Sequence, residues 1–399
     1  MEKTLVKSTI IMELQEKLEQ GNHAALQEFW DIVETKSAPL IEKIDGDLEN
    51  SLITIIYKID EEVENIVLMP PIDWDNLQEG KMQRLLETNL WYVTYKLKSD
   101  VRSEYGFSIN DSFDNDWKKK TLVHDKFNKN IVVFEGENGE KDVLRSYVVM
   151  PNAPEHFWVK ERNEIAKGNL YEHEFYSKNL SKGRKVRIYT PYGYEKANKP
   201  YGFLLLTDGN EYINMLSTIE VLNNLIADKK IPPIVTIFID STETRMEELK
   251  CNDSFSSIIV EELIPWARDN YNITNKASES IIGGLSLGGL TASYLGLKHS
   301  EVFGNVLSQS GSYWYAPEGC KDECWTGSQY EAIDNLPVKF YLNVGVLENK
   351  DRMINTNIKL RDVLIEKGYT VDFEYFNSGH DYLSWGETLA NGLISLIGI

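Results

Sequence analysis

From Val186 to Leu396 the chain alternates short β-branched runs with helix-length stretches. Val186–Thr190, Phe203–Leu206, Ile234–Ile239, Ser280–Ile282, Asn305–Leu307, Lys339–Val344 and Val371–Tyr375 read as strands. Ser256–Asn270, Gly289–Leu297, Asn355–Lys367 and Thr388–Leu396 read as helices. Sustained alternation of this kind predicts a mainly parallel sheet covered by helices on both faces, with ligands gathering beyond the carboxyl ends of the strands.

Ahead of this region the pattern differs. Ile11, Leu14, Leu18, Leu26, Phe29, Trp30 and Ile32 recur at three- and four-residue spacings, which predicts helix across residues 10–45. Leu52–Ile56, Trp91–Leu97 and Tyr105–Ile109 then read as strands of a small all-β, sandwich-like unit. Residues 110–160, with clustered Asn, Asp and Lys and with Pro151 and Pro154, suit a linker. The expected division is residues 1–155 and 156–399.

Charge excludes several partners. With 42 basic and 62 acidic residues the formal net charge is −20, which repels a phosphate backbone and an anionic membrane surface alike. No apolar run reaches the length of a membrane span, and Lys7, Glu13 and Glu16 interrupt any signal-peptide core, so the expected location is the cytoplasm. Cys251, Cys320 and Cys324 cannot all pair within one chain; Cys320 and Cys324, without a nearby His or second Cys pair, make a poor zinc site. The oligomeric state is left open.

Chemistry concentrates in Gly284-Leu285-Ser286-Leu287-Gly288, which follows an apolar strand and opens a helix, as a nucleophile elbow requires. Side chains two positions either side of the serine would collide with the neighbouring backbone, hence the glycines. Ser286 would project over the sheet, and the Leu287 N–H at the helix start would face a developing oxyanion. A serine hydroxyl needs a base, and the base an acid. Of six histidines only His380, in Asn377-Ser378-Gly379-His380-Asp381, follows a late strand. Glu348, after the strand Lys339–Val344, is the first choice for the acid and Asp351 the reserve. The loop Thr207-Asp208-Gly209-Asn210 supplies a second oxyanion donor, the Asn210 N–H, with Asp208 bracing the loop.

These points extend to an ordered series: Asp208-Gly209, Asp240 with Arg245-Met246-Glu247-Glu248-Leu249, the elbow, Ser308-Gln309-Ser310-Gly311-Ser312-Tyr313-Trp314, and Gly379-His380-Asp381 before Trp385. Over about residues 185–397 the chain resembles the enterochelin (ferric enterobactin) esterases, of the esterase D-like branch of the α/β-hydrolases. A fainter likeness to that family's all-β N-terminal domain runs through Val93 to Tyr105 and Asp125-Lys126-Phe127-Asn128, with Lys126 where the family usually has proline.

The resemblance implies hydrolysis of the esters of a cyclic trilactone siderophore built from catechol-acylated units, with iron arriving only as part of the substrate and no cofactor required. On it Ser286 is the nucleophile, His380 the base and Glu348 the acid, Arg245 lies near the substrate, and Tyr313 and Trp314 contribute aromatic wall. Read from the residues alone, Arg245 could equally pair with Glu247 or Glu248, and the two aromatics could be core. A ferric tris-catecholate is anionic, so a local cationic cluster must offset the global charge; Arg245, Lys250 and Arg184 are the candidates. Two other readings are a feruloyl or acetyl carbohydrate esterase of the same fold and a non-catalytic binder on a hydrolase scaffold.

Overall fold

The computed structural model describes residues 7–70, 77–114, 120–134, 141–179, 182–196 and 199–399. It divides into two compact units, Met1–Glu155 and His156–Ile399.

In the first unit, Ser8 caps the helix Thr9–Glu19 by accepting from Ile11 N–H, and a second helix spans Ala24–Lys36. Residues 40–44, expected to be helical, form the strand Leu40–Ile44 instead. Pro39 lacks the N–H a helix would need and bars helical geometry at Ala38, so the helix stops before it. Leu40–Ile44, Asp47–Lys58, Leu90–Lys98 and Gln83–Arg84 make one sheet in that order, and Ile66–Met69, Arg102–Ile109, Val143–Val149 and Ile131–Phe134 make another, with Leu122–Val123 paired to Arg102–Ile109. Every pairing is antiparallel. Tyr57 of the first sheet packs on Phe107 of the second, ring centres 4.6 Å apart. The expected linker is therefore part of the β unit. Its strands are short and largely exposed along one side, so they carry too little apolar alternation to stand out. Lys126 is exposed, while buried Asp125 and Asn128 fix the turn by hydrogen bonds to Tyr105.

The second unit holds an eight-stranded sheet. We label its strands β1 (Asn169–Ser177), β2 (Lys182–Thr190), β3 (Gly202–Thr207), β4 (Ile234–Ile239), β5 (Ser280–Leu285), β6 (Asn305–Gln309), β7 (Lys339–Gly345) and β8 (Thr370–Phe376). Their spatial order is β1-β2-β4-β3-β5-β6-β7-β8. Only β1–β2 and β2–β4 pair antiparallel; the rest are parallel. The principal helices are α1 (Thr218–Ala227), α2 (Leu287–Lys298), α3 (Asn355–Glu366) and α4 (Tyr382–Ile397). Because strand side chains alternate between faces, Phe203 and Leu205 of β3 pack with α2, α3 and the helical segment 253–270, while Leu204 and Leu206 pack with α1 and α4. This is an α/β-hydrolase sheet, entered by an antiparallel hairpin. Among the described residues no helix is long and apolar enough to cross a membrane.

Candidate active site

The turn from β5 into α2 places Ser286 at φ 56° and ψ −120°, a backbone conformation few side chains adopt. A Cβ at Gly284 would lie 2.4 Å from the Gly288 carbonyl carbon, and one at Gly288 would lie 2.4 Å from Thr207 Oγ1. Both glycines are thus required by the closeness of the turn to itself and to the end of β3. The turn hangs from the loop after β6: Ser286 N–H donates to Gln309 O at 2.8 Å, and Ser312 N–H donates to Ser286 O at 3.0 Å.

His380 lies after β8 with Nε2 3.0 Å from Ser286 Oγ, and its Nδ1 is 2.8 Å from Glu348 Oε2. The carboxylate holds the proton on Nδ1 and leaves Nε2 to accept from the serine hydroxyl. The His380 side chain keeps 28% of its surface exposed and that of Glu348 none, so the imidazole faces outward and the carboxylate is sealed. The second carboxylate oxygen, Oε1, accepts from Ser310 Oγ at 2.5 Å and from Gly345 N–H at 2.8 Å. Trp385 Nε1–H donates to Ser310 Oγ at 3.0 Å, and its ring meets His380 edge-on at 5.0 Å. Asp351, the reserve acid, is exposed and accepts from Asn355 Nδ2, away from this line.

The Leu287 N–H opens α2, where first-turn donors have no partner within the helix. Asn210 is the second residue of the short helix Gly209–Asn214; its side-chain Oδ1 accepts from Asn214 Nδ2. A Cβ at Gly209 would sit 2.8 Å from Phe238 Cβ, so this loop packs as closely as the elbow does.

Two expectations for other residues change. Tyr313 is fully buried, its hydroxyl 2.6 Å from both Ser293 and Ser308, so it is core beneath the elbow and not pocket wall. The chain reverses after β6 and carries that ring inward; Trp314, next along, stays partly exposed. Arg245 pairs with neither Glu247 nor Glu248. It forks onto Asp208, with Nη2 to Oδ2 at 2.7 Å, where Asp208 also accepts from Ser241. Glu248 is taken instead by buried Arg184. Among the described residues no group of three or more His, Cys, Asp or Glu is placed to hold a metal ion.

Sequence reasoning assigned no role to Ser310, Ser312 or Asp381. Ser312 Oγ lies 3.3 Å from Ser286 Oγ. Asp381 caps α4, accepting from Leu383 N–H, Gly379 N–H and Ser378 Oγ. Burial, with a further contribution from the Glu348 charge, pushes its carboxyl up to about 6. The folded protein therefore holds this proton more tightly than the unfolded chain, whose carboxyl titrates near about 4. Stability contributed by the protonated form is complete below that value and is lost as pH rises towards about 6. Asp381→Asn, which retains a capping oxygen, is expected to remove about 1.4 kcal/mol of the stability lost between pH 5 and pH 8. Urea unfolding at pH 5 and pH 8 measures it; equal slopes in both proteins would refute it.

The Esterase family model, described as "Putative esterase", matches residues 177–396. The iron(III) enterobactin esterase of Escherichia coli (strain K12) is 29% identical over 343 residues, spanning 80% of this chain and 82% of that one. The iron(III) salmochelin esterase of Escherichia coli O6:H1 is 25% identical over 97% of this chain and 98% of its own. The enterobactin esterase of Shigella flexneri, solved in the presence of enterobactin, overlays with a TM-score of 0.74 at 26% identity, covering 90% of this chain and 96% of that one. It has also been solved in the presence of 2,3-dihydroxy-N-benzoyl-serine. With more than half its length matched by the family model and its fold shared along nearly the whole chain, this protein belongs to the esterase family of α/β-hydrolases, on the enterochelin esterase branch.

Proposed function

We propose that this esterase hydrolyses the ester bonds of a catecholate trilactone siderophore in the cytoplasm, releasing its iron. The observation that carries the reading is the hydrogen-bonded line Ser286–His380–Glu348, in a chain related to esterases named for enterobactin and salmochelin. Ser286 Oγ attacks the ester carbonyl while His380 Nε2 takes its proton. The tetrahedral oxyanion is met by the N–H groups of Leu287 and Asn210, and its collapse expels the serine or threonine alkoxide of the lactone, which His380 protonates. Water, deprotonated by the same nitrogen, then cleaves the acyl-enzyme and restores Ser286. Asp208, held by Arg245 and Ser241, keeps the Asn210 loop against the elbow; a Cβ at Gly288 would lie 3.3 Å from its Oδ2.

The test incubates the protein with a ferric trilactone siderophore and, separately, with a feruloylated sugar, and follows products by chromatography. Linear catechol-acyl units are expected. Cleavage of the sugar ester alone would move the substrate class to the carbohydrate esterases, and cleavage of neither, without fluorophosphonate labelling, would favour a binder.

A further inference from the structure

Two cations beside the Ser286 site have no carboxylate within ion-pair distance among the described residues, and each lies over an aromatic ring. The Arg352 guanidinium is 4.3 Å from the centre of the Trp314 ring, and Lys250 Nζ is 5.9 Å from that of Tyr315. The neighbouring arginines are already neutralised: Arg245 by Asp208, Arg184 by Glu248, Arg187 by Asp240 and Glu172. Of these five cations, Arg352 and Lys250 are the two without a carboxylate partner among the described residues, so in a protein of net charge −20 their charge stays available to a ligand.

Their position follows from what pins the backbone. Ser312 N–H donates to the carbonyl of Ser286, Tyr315 N–H donates to the carbonyl of Ser312 at 3.0 Å, and Tyr313 anchors the segment from below. Trp314 is two residues from Ser312, so their Cα atoms lie within about 7 Å. Arg352 follows the acid Glu348 by four positions, and its N–H donates to Asn349 Oδ1 at 2.7 Å. Lys250 follows Leu249, whose carbonyl accepts from Thr291 of α2 at 2.9 Å. Both cation–ring pairs thus hang from segments tied to the elbow or to the acid loop.

We infer that Trp314–Arg352 and Tyr315–Lys250 form a rim selective for metallated catecholates, an inference that rests on the substrate reading above. Three catecholate dianions around ferric iron leave the complex trianionic and present flat aromatic faces. Such a ligand stacks against the rings while the guanidinium edge and the ammonium meet its phenolate oxygens. Iron-free catechols keep their protons near neutral pH, so the rim separates the ferric ligand from the iron-free one by charge.

The test is equilibrium dialysis of ferric and iron-free 2,3-dihydroxy-N-benzoyl-serine against the wild type, Arg352→Gln, Lys250→Gln and the double variant, at low and high salt. Each single substitution is expected to weaken the ferric complex about tenfold and the double about a hundredfold, while the iron-free ligand shifts less than about threefold. The wild-type preference for the ferric form should fall as salt rises. Equal losses for both ligands, or none, would overturn the rim. Thermal unfolding midpoints check the fold, and where a midpoint drops, Arg352→Lys and Lys250→Arg replace the glutamine variants. These keep the charge and should retain most of the ferric preference; losing it as the glutamine variants do overturns the rim. Binding is read without turnover, so the two readings separate. Ferric selectivity without trilactone cleavage fails the substrate assignment alone, and cleavage without ferric selectivity fails the rim alone.

Discussion

Ser286→Ala is expected to lower ester turnover by about ten-thousandfold or more with the fold intact. The backbone bonds that build the elbow, Ser286 N–H to Gln309 O and Ser312 N–H to Ser286 O, do not involve the hydroxyl. Alanine carries the same Cβ at φ 56°, so the strain of the turn is unchanged. What is lost is the oxygen 3.0 Å from His380 Nε2. Steady-state kcat on a p-nitrophenyl ester, together with fluorophosphonate labelling, measures this. Turnover within tenfold of wild type would remove Ser286 from the mechanism.

Glu348→Gln should reduce kcat by about a thousand- to ten-thousandfold, for a reason specific to this acid's surroundings. Oε1 accepts from the Gly345 N–H, which can only donate, and from the Ser310 hydroxyl, one of whose lone pairs is taken by Trp385 Nε1–H, so the amide of glutamine must place its carbonyl oxygen there. Its NH2 is then forced towards His380 Nδ1. The imidazole has to move its proton to Nε2, where it can no longer accept from Ser286. Asp351→Asn, at an exposed side chain whose bond goes to Asn355, should track the wild type. Equal losses in the two variants would overturn the assignment of the acid.

The catalytic fold was legible because parallel strands buried on both faces read as uninterrupted apolar runs, as in Phe203–Leu206. The edge strand β1 was not: Asn169-Leu170-Tyr171-Glu172-His173-Glu174 interleaves charges with apolar residues and is mostly exposed. Residues 40–44 misled through the continuing apolar spacing, which Pro39 overrides. In the site, the elbow and the histidine loop carry local signatures, and the structure brings Ser286, His380 and Glu348 to one sheet edge. Pairings across the chain carry no such signature. Arg245 reaches Asp208, 37 positions earlier, in preference to the acids beside it. An aromatic after a strand, such as Tyr313, turns inward or outward according to a chain reversal that composition does not encode.

That reversal bears on which positions can change. Tyr313 acts as a fixed peg, holding position against Ser293 and Ser308, while the next two residues stay partly exposed, each with a cation over its ring. On the proposed rim, exchange at 314 and 315 would alter which cargo is admitted while Tyr313 and the elbow above it stay in place.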